Sequence, residues 1–243
     1  MTPVRRRLLA AALSAAAIAC SRAETRADTT SPASNASAAA MVTPEGGLAA
    51  ATGAPRDSIT DRADRGRITG NPKAAIWVIM LSDFQCPYCK QWHDASFAKV
   101  MEYANAGKIQ LAFINLPLNI HPNAIPAAEA AMCASVQNKF WPMHDALFAT
   151  QDQWAPLPDP TAKLESVAST LPGIDIASWR TCMTKHQTRP LVDADHDRAR
   201  SAGANSTPAF IVDGKMVLNP DGSAPGAGAN VAAAIEAALK TKP

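Results

Sequence analysis

Cys86 and Cys89 are separated only by Pro87 and Tyr88, and two thiols at that spacing can close and open a disulfide with little backbone movement. Where such a pair opens a helix, unpaired N–H donors and the positive end of the helix dipole favour thiolate over thiol at the first sulfur. That placement can lower a cysteine pKa from about 8.5 into a range of roughly 3.5 to 7.5, so Cys86 is the expected nucleophile. Pro87 suits the first turn, where its missing N–H costs nothing. Tyr88 is expected to face outward and shape access. Cys89, one turn inward, would resolve a mixed disulfide by attacking Cys86. Zinc is the competing use of C-x-x-C, but a zinc ribbon needs a second half. Cys133 and Cys182 stand alone and far apart, and His93 adds only a third candidate ligand. No metal site is expected, and a purely structural disulfide across so short a loop would add little stability.

A second signal lies in Ser206-Thr207-Pro208-Ala209-Phe210, where a proline opens an expected strand after a long helical stretch. A cis bond at Pro208 would be a functional device; a trans proline that merely starts the strand is the alternative. The elements that must hold these residues can be read along the chain. Ala74 to Leu81 is an unbroken apolar run bounded by turn residues, as expected of a central strand buried on both faces. The cysteines follow directly. Lys90 to Ala106 reads as a helix ended by Gly107, and Lys108 to Asn115 as another strand. From His121 to about Ala202 apolar residues recur at helical spacing. Pro208 to Val212 and Lys215 to Leu218 flank Asp213-Gly214, a two-residue hairpin signal, and Ala229 to Lys240 is a final helix. Arg56 to Arg67 reads as a short helix before Gly70, with the folded domain starting near that glycine. This order indicates an α/β domain with an inserted α-helical lobe at about 121–203.

The 243 residues are 47% hydrophobic and 18% charged, with a formal net charge of +2. That balance supports a folded core and gives no electrostatic footprint for nucleic acid or an anionic membrane surface. The first twenty residues are biased differently. Arg5, Arg6 and Arg7 precede an uncharged, mostly apolar run from Leu8 to Ala19, the layout of a signal peptide and shorter than the roughly 20 residues that span a bilayer. Residues 1–20 are therefore expected to export the chain. Ala17-Ile18-Ala19 suits ordinary cleavage, whereas Cys20 suits lipidation, and both readings stay open. Residues 21–56 are Ala/Ser/Thr/Pro-rich and poor in large apolar side chains, as expected of a flexible tether, and residues 57–243 carry the folded domain. With Cys20 set aside, four cysteines remain, enough for two pairs in an oxidising compartment.

FQCPYCKQWH, HPNAIPAAEAAMCA, KFWPMHDALF and STPAFIVDGK, in that order, resemble the DsbA-like family of bacterial thiol:disulfide oxidoreductases over roughly Gly70 to Lys240. The resemblance implies a thioredoxin fold with a helical insertion, a catalytic Cys86/Cys89 pair that serves in place of any cofactor, and a cis Pro208 preceded by Thr207. In such folds that proline faces the redox cysteines and leaves the preceding backbone free to pair with an extended substrate. Also implied are exported protein substrates bearing cysteine thiols and a redox partner protein that resets the pair. A monomer is expected, touching the membrane only through a lipid at Cys20. The resemblance further suggests a disulfide between Cys133 and Cys182, with two buried free thiols as the alternative. One departure stands out: relatives carry a buried acid six positions before the first cysteine, where this chain has Met80, and Asp83 is not an assumed replacement. His121 reads as part of a turn that starts a helix. Trp141 and His144 read as packing or capping groups, and Met132, Met143 and Met183 as core.

Overall fold

The computed structural model describes residues 58–220, 222 and 226–242. The expected leader, the tether and Cys20 lie outside them. The described chain opens with α1 (Ile59–Gly66), capped by Ser58, whose hydroxyl accepts from the Asp61 N–H at 3.1 Å. Then come β1 (Ile68–Gly70) and β2 (Trp77–Ser82). Helix α2 (Pro87–Trp92) runs through a π-helical turn (His93–Phe97) into α3 (Ala98–Asn105), followed by β3 (Gln110–Asn115). The helical lobe is α4 (Ala124–Ser135), α5 (Phe140–Ala149), α6 (Gln151–Trp154), α7 (Thr161–Ser169), α8 (Ile176–Thr184) and α9 (Arg189–Ser201). Strands β4 (Ala209–Val212) and β5 (Lys215–Met216) and helix α10 (Val231–Thr241) complete the fold.

The five strands lie in the order β1-β3-β2-β4-β5, with β2 parallel to β3 and antiparallel to β4. The apolar run before the cysteines thus occupies the middle of the sheet. Its alternation feeds two cores: Val78 and Met80 join the larger cluster, while Leu81 packs with Ile114, Leu116 and Ala209 on the other face. The β4–β5 hairpin turns at Asp213 and Gly214, both at positive φ (49° and 77°), as a tight hairpin of matching twist requires.

Two boundaries differ from the sequence reading. The folded region begins before Gly70. Strand β1 pairs antiparallel with β3, and just ahead of it Arg67 is fully buried in ion pairs with Asp64 and Asp195. A three-residue strand carries too little alternation to be recognised. The helix starts ahead of the Lys90 boundary, at Pro87, which takes the first turn as expected of it, because Cys86 has the extended conformation of an N-cap (φ −69°, ψ 123°). Inside the lobe, α4 and α8 are joined by a Cys133–Cys182 disulfide with a Cα separation of 5.8 Å. Helix α1 docks on α4 so closely that a Cβ on Gly66 would meet the Ser135 carbonyl at 2.5 Å. Among the described residues, no helix is long and apolar enough to cross a membrane.

Candidate redox site

The site is built where the central strand stops. After Ser82 the chain turns through Asp83–Gln85, closed by the Cys86 N–H donating to the Asp83 carbonyl at 3.1 Å. The Asp83 carboxylate is buried and accepts from the Gln85 N–H (2.8 Å) and the Leu118 N–H (2.9 Å), with His121 Nδ1 at 2.6 Å. Burial pushes this carboxyl above the usual carboxylate range, although the bonds from His121 and Leu118 oppose it. The lobe clamps the same loop from the other side. Gln151 Nε2 donates to the carbonyls of Phe84 (2.7 Å) and Cys86 (3.1 Å). Gln85 donates to the Ala155 carbonyl (2.9 Å) and accepts from the Asn123 N–H (2.6 Å).

Cys86 and Cys89 are both free thiols and both buried. The Cys86 pKa falls to about 6. A hydrogen bond from the Cys89 thiol is the largest cause, burial opposes it, and Thr207 and the N–H groups of Cys89 and Tyr88 add to the lowering. Burial pushes the Cys89 thiol well up, and the hydrogen bond to Cys86 and the Cys86 charge push it further; the Ser82 hydroxyl and the Asp83 N–H work the other way. The pair therefore loses its first proton at Cys86 and keeps its second at Cys89.

Opposite the sulfurs, the Thr207–Pro208 peptide bond is cis, and the Thr207 carbonyl lies 3.5 Å from Cys86 Sγ. Beside it opens a cleft of about 510 Å³ lined by Tyr88, Gln91, Ser206, Thr207 and Asn219. Tyr88 is 62% exposed at its rim. An exposed tyrosine, a thiolate and a carbonyl face together suit an extended peptide bearing a sulfur.

The fold thus brings Cys86, Pro87, Tyr88, Cys89, Thr207 and Pro208 to one place, and holds Cys133 and Cys182 apart from it in the lobe. Met80 is buried between Phe113 and Phe210 in the sheet register. His93 turns to Asp94 (3.1 Å) and Asp145 (3.2 Å). Trp141 and His144 pack among the aromatic rings of α5 and its neighbours. His121 does sit in the turn before α4, but it also pairs with Asp83, which the sequence reading did not anticipate. Gln85, Asn123 and Gln151 were missed altogether. Amides carry no periodic signal, and their partners lie far along the chain.

A family model described as thioredoxin matches residues 62–236. Among curated proteins, the Na(+)/H(+) antiporter NhaA 3 of Salinispora tropica is 33% identical over 158 residues, which is 65% of this chain and 23% of that protein. The chain thus spans about a quarter of the length of that antiporter. The probable disulfide bond formation protein D of Bacillus anthracis is 28% identical over 178 residues, covering 67% of this chain and 80% of that one. In solved structures, oxidised BdbD from Bacillus subtilis superposes with a TM-score of 0.62 at 22% identity, covering 72% of this chain and 94% of its own. The alpha-DsbA1 of Wolbachia pipientis gives 0.59 at 21% identity, covering 72% and 91%. Sheet order, inserted lobe, family match and structural neighbours agree, and the chain belongs to the thioredoxin family as a DsbA-like member with a helical insertion.

Proposed function

We propose that this chain is an extracytoplasmic thiol:disulfide oxidoreductase that donates the Cys86–Cys89 disulfide to exported proteins bearing cysteine thiols. In the donor direction, a substrate thiolate attacks Cys86 Sγ and the Cys86–Cys89 bond breaks. Cys89 leaves as a thiolate and takes up a proton, as its buried position favours. A second substrate thiolate then attacks the substrate sulfur of the mixed disulfide and expels Cys86 as a thiolate. The substrate loses two electrons and the pair gains them, so a partner protein must reoxidise it. The arrangement that supports the direction is the place of Cys86 at the N-cap of α2, where the Cys89 thiol and the N–H groups of Tyr88 and Cys89 favour its thiolate. A stabilised thiolate is a better leaving group and favours the reduced form, which makes the oxidised form the stronger donor.

Thr207 and Pro208 form the wall against which the substrate backbone would lie, and Tyr88 the rim that guides it. Export rests on the leader-like residues 1–20, and Cys20 is the candidate for a lipid anchor. The disulfide bond formation role printed in the name of the Bacillus anthracis relative agrees with this reading.

The test is multiple-turnover oxidation of a dithiol peptide by the full chain, together with its reduction potential against glutathione. Turnover that Cys86→Ser abolishes, with a potential well above about −200 mV, is the expected result. A potential near about −270 mV would make the chain a reductase instead. Binding of the peptide without turnover would make it a thiol-holding module.

A further inference from the structure

Asp83 lies in the loop between the central strand and Cys86, and its main chain touches both redox cysteines. Its carbonyl accepts from the Cys86 N–H at 3.1 Å, and its N–H is hydrogen-bonded to the Cys89 sulfur. Its buried carboxylate is held by the segment that leads into the lobe: Leu118 N–H donates to Oδ2 at 2.9 Å, and His121 Nδ1 lies 2.6 Å from the same oxygen. We propose that His121 is a positioning residue of the redox pair, acting through Asp83, and that the site requires its imidazole and not merely its place in the turn. The role presupposes the thiol:disulfide exchange proposed above.

The turn itself does not need an imidazole. The His121 N–H donates to the Leu118 carbonyl at 2.9 Å, and its carbonyl accepts from the Ala124 N–H at 3.1 Å, bonds that most residues could make there. The ring is what reaches back across 38 residues of chain to Asp83, staying 15% exposed while the carboxylate is wholly buried. Both carboxylate oxygens already accept backbone N–H groups, Oδ1 from Gln85 and Oδ2 from Leu118, so the ring nitrogen is the donor in the third contact. A buried carboxylate short of a donor is costly. Of the groups that counter burial at Asp83, His121 does most. Two residues further on, the Asn123 N–H donates to Gln85 Oε1 at 2.6 Å, so the entrance to the lobe grips the redox loop at two points.

Two effects of His121 on the cysteines have the same sign. A donor on the Asp83 carboxylate offsets a negative charge beside sulfurs that must themselves carry one. A fixed Asp83 also keeps its N–H on the Cys89 sulfur, which favours the thiolate there. Both effects stabilise the reduced pair, whose sulfurs can ionise, and neither acts comparably on the disulfide. Loss of the imidazole should therefore weaken the reduced form selectively.

The test measures the equilibrium of the full chain with glutathione and the urea unfolding of its oxidised and reduced forms, each against wild type. A contact that only supports the fold would weaken both forms equally and leave the equilibrium unchanged. His121→Ala is expected to shift it about threefold to tenfold towards the disulfide, the tenfold end being about 30 mV. His121→Asn, which places an amide donor near the Nδ1 position, should stay within about twofold of wild type. In an Asp83→Asn background the His121→Ala shift should disappear. His121→Ser, too short to reach Asp83, carries the same expectation if His121→Ala does not fold. An unchanged equilibrium in the folded alanine or serine variant, an equal shift in His121→Asn, or a full shift that persists with Asp83→Asn would overturn the role. Each shift is read against wild type, so a wild-type potential near about −270 mV would refute the donor reading and leave this comparison intact.

Discussion

Replacing Cys89 with alanine removes the hydrogen bond that does most to hold Cys86 as a thiolate. A hydrogen bond to a charged group contributes about 1.5–3 kcal/mol, and one pKa unit corresponds to about 1.36 kcal/mol. The Cys86 midpoint should therefore rise by about one to two units, from about 6 towards roughly 7 to 8. Burial pulls the other way: losing the buried Cys89 sulfur admits water beside Cys86 and returns part of the shift, which favours the lower end. The assay is thiolate ultraviolet absorbance against pH, paired with the pH dependence of iodoacetamide alkylation. A midpoint left at the wild-type value in Cys89→Ala would refute the assignment and move the effect to the helix N-terminus and Thr207. The same lowering links redox state to stability. Because Cys86 is depressed in the fold, it stabilises the reduced protein above the unfolded pKa of about 8.5 and loses that contribution as pH falls through about 6. The disulfide form has no such dependence. The reduced protein should gain about 3 kcal/mol relative to the oxidised one across that window, after which the raised Cys89 pKa begins to work against it.

Asp195→Ala should destabilise the fold by about 3–5 kcal/mol in urea unfolding, because it leaves the buried Arg67 guanidinium short of a partner and also strips the Asn115 N–H of its acceptor. Replacing both Cys133 and Cys182 with serine should cost roughly 4 kcal/mol of stability from loop entropy across their separation of 49 residues. That double variant should keep the Cys86 alkylation profile of the wild type, since the bond lies in the lobe.

What was legible in the sequence follows from how local the signals are. The central strand, the hairpin at Asp213-Gly214 and the helical run of the lobe each announce themselves within a few residues, through apolar runs, turn chemistry or period. Cys86 and Cys89 were legible for the same reason: their relation is set by one helical turn. β1 was not, since its three residues gain order only by pairing with β3. The contacts of Asp83 with His121, and of Gln151 with the Cys86 carbonyl, span 38 and 65 residues of chain, and no spacing rule reaches across such gaps. The replacement of the expected acid by Met80 was visible at once. What stands near Cys89 in its stead, the Ser82 hydroxyl and the Asp83 amide, needed the three-dimensional placement of the strand end.

The amide contacts on the redox loop bear on how transferable it is. Gln85, Asn123 and Gln151 fix the carbonyls and amides around Cys86 from segments that a swap of four residues would leave behind. Cys86-Pro87-Tyr88-Cys89 is therefore not a cassette. A chimera that exchanged the helical lobe for a relative's would have to carry a matching amide at the start of α6 and at the turn before α4, or the loop would keep its sulfurs and lose its shape.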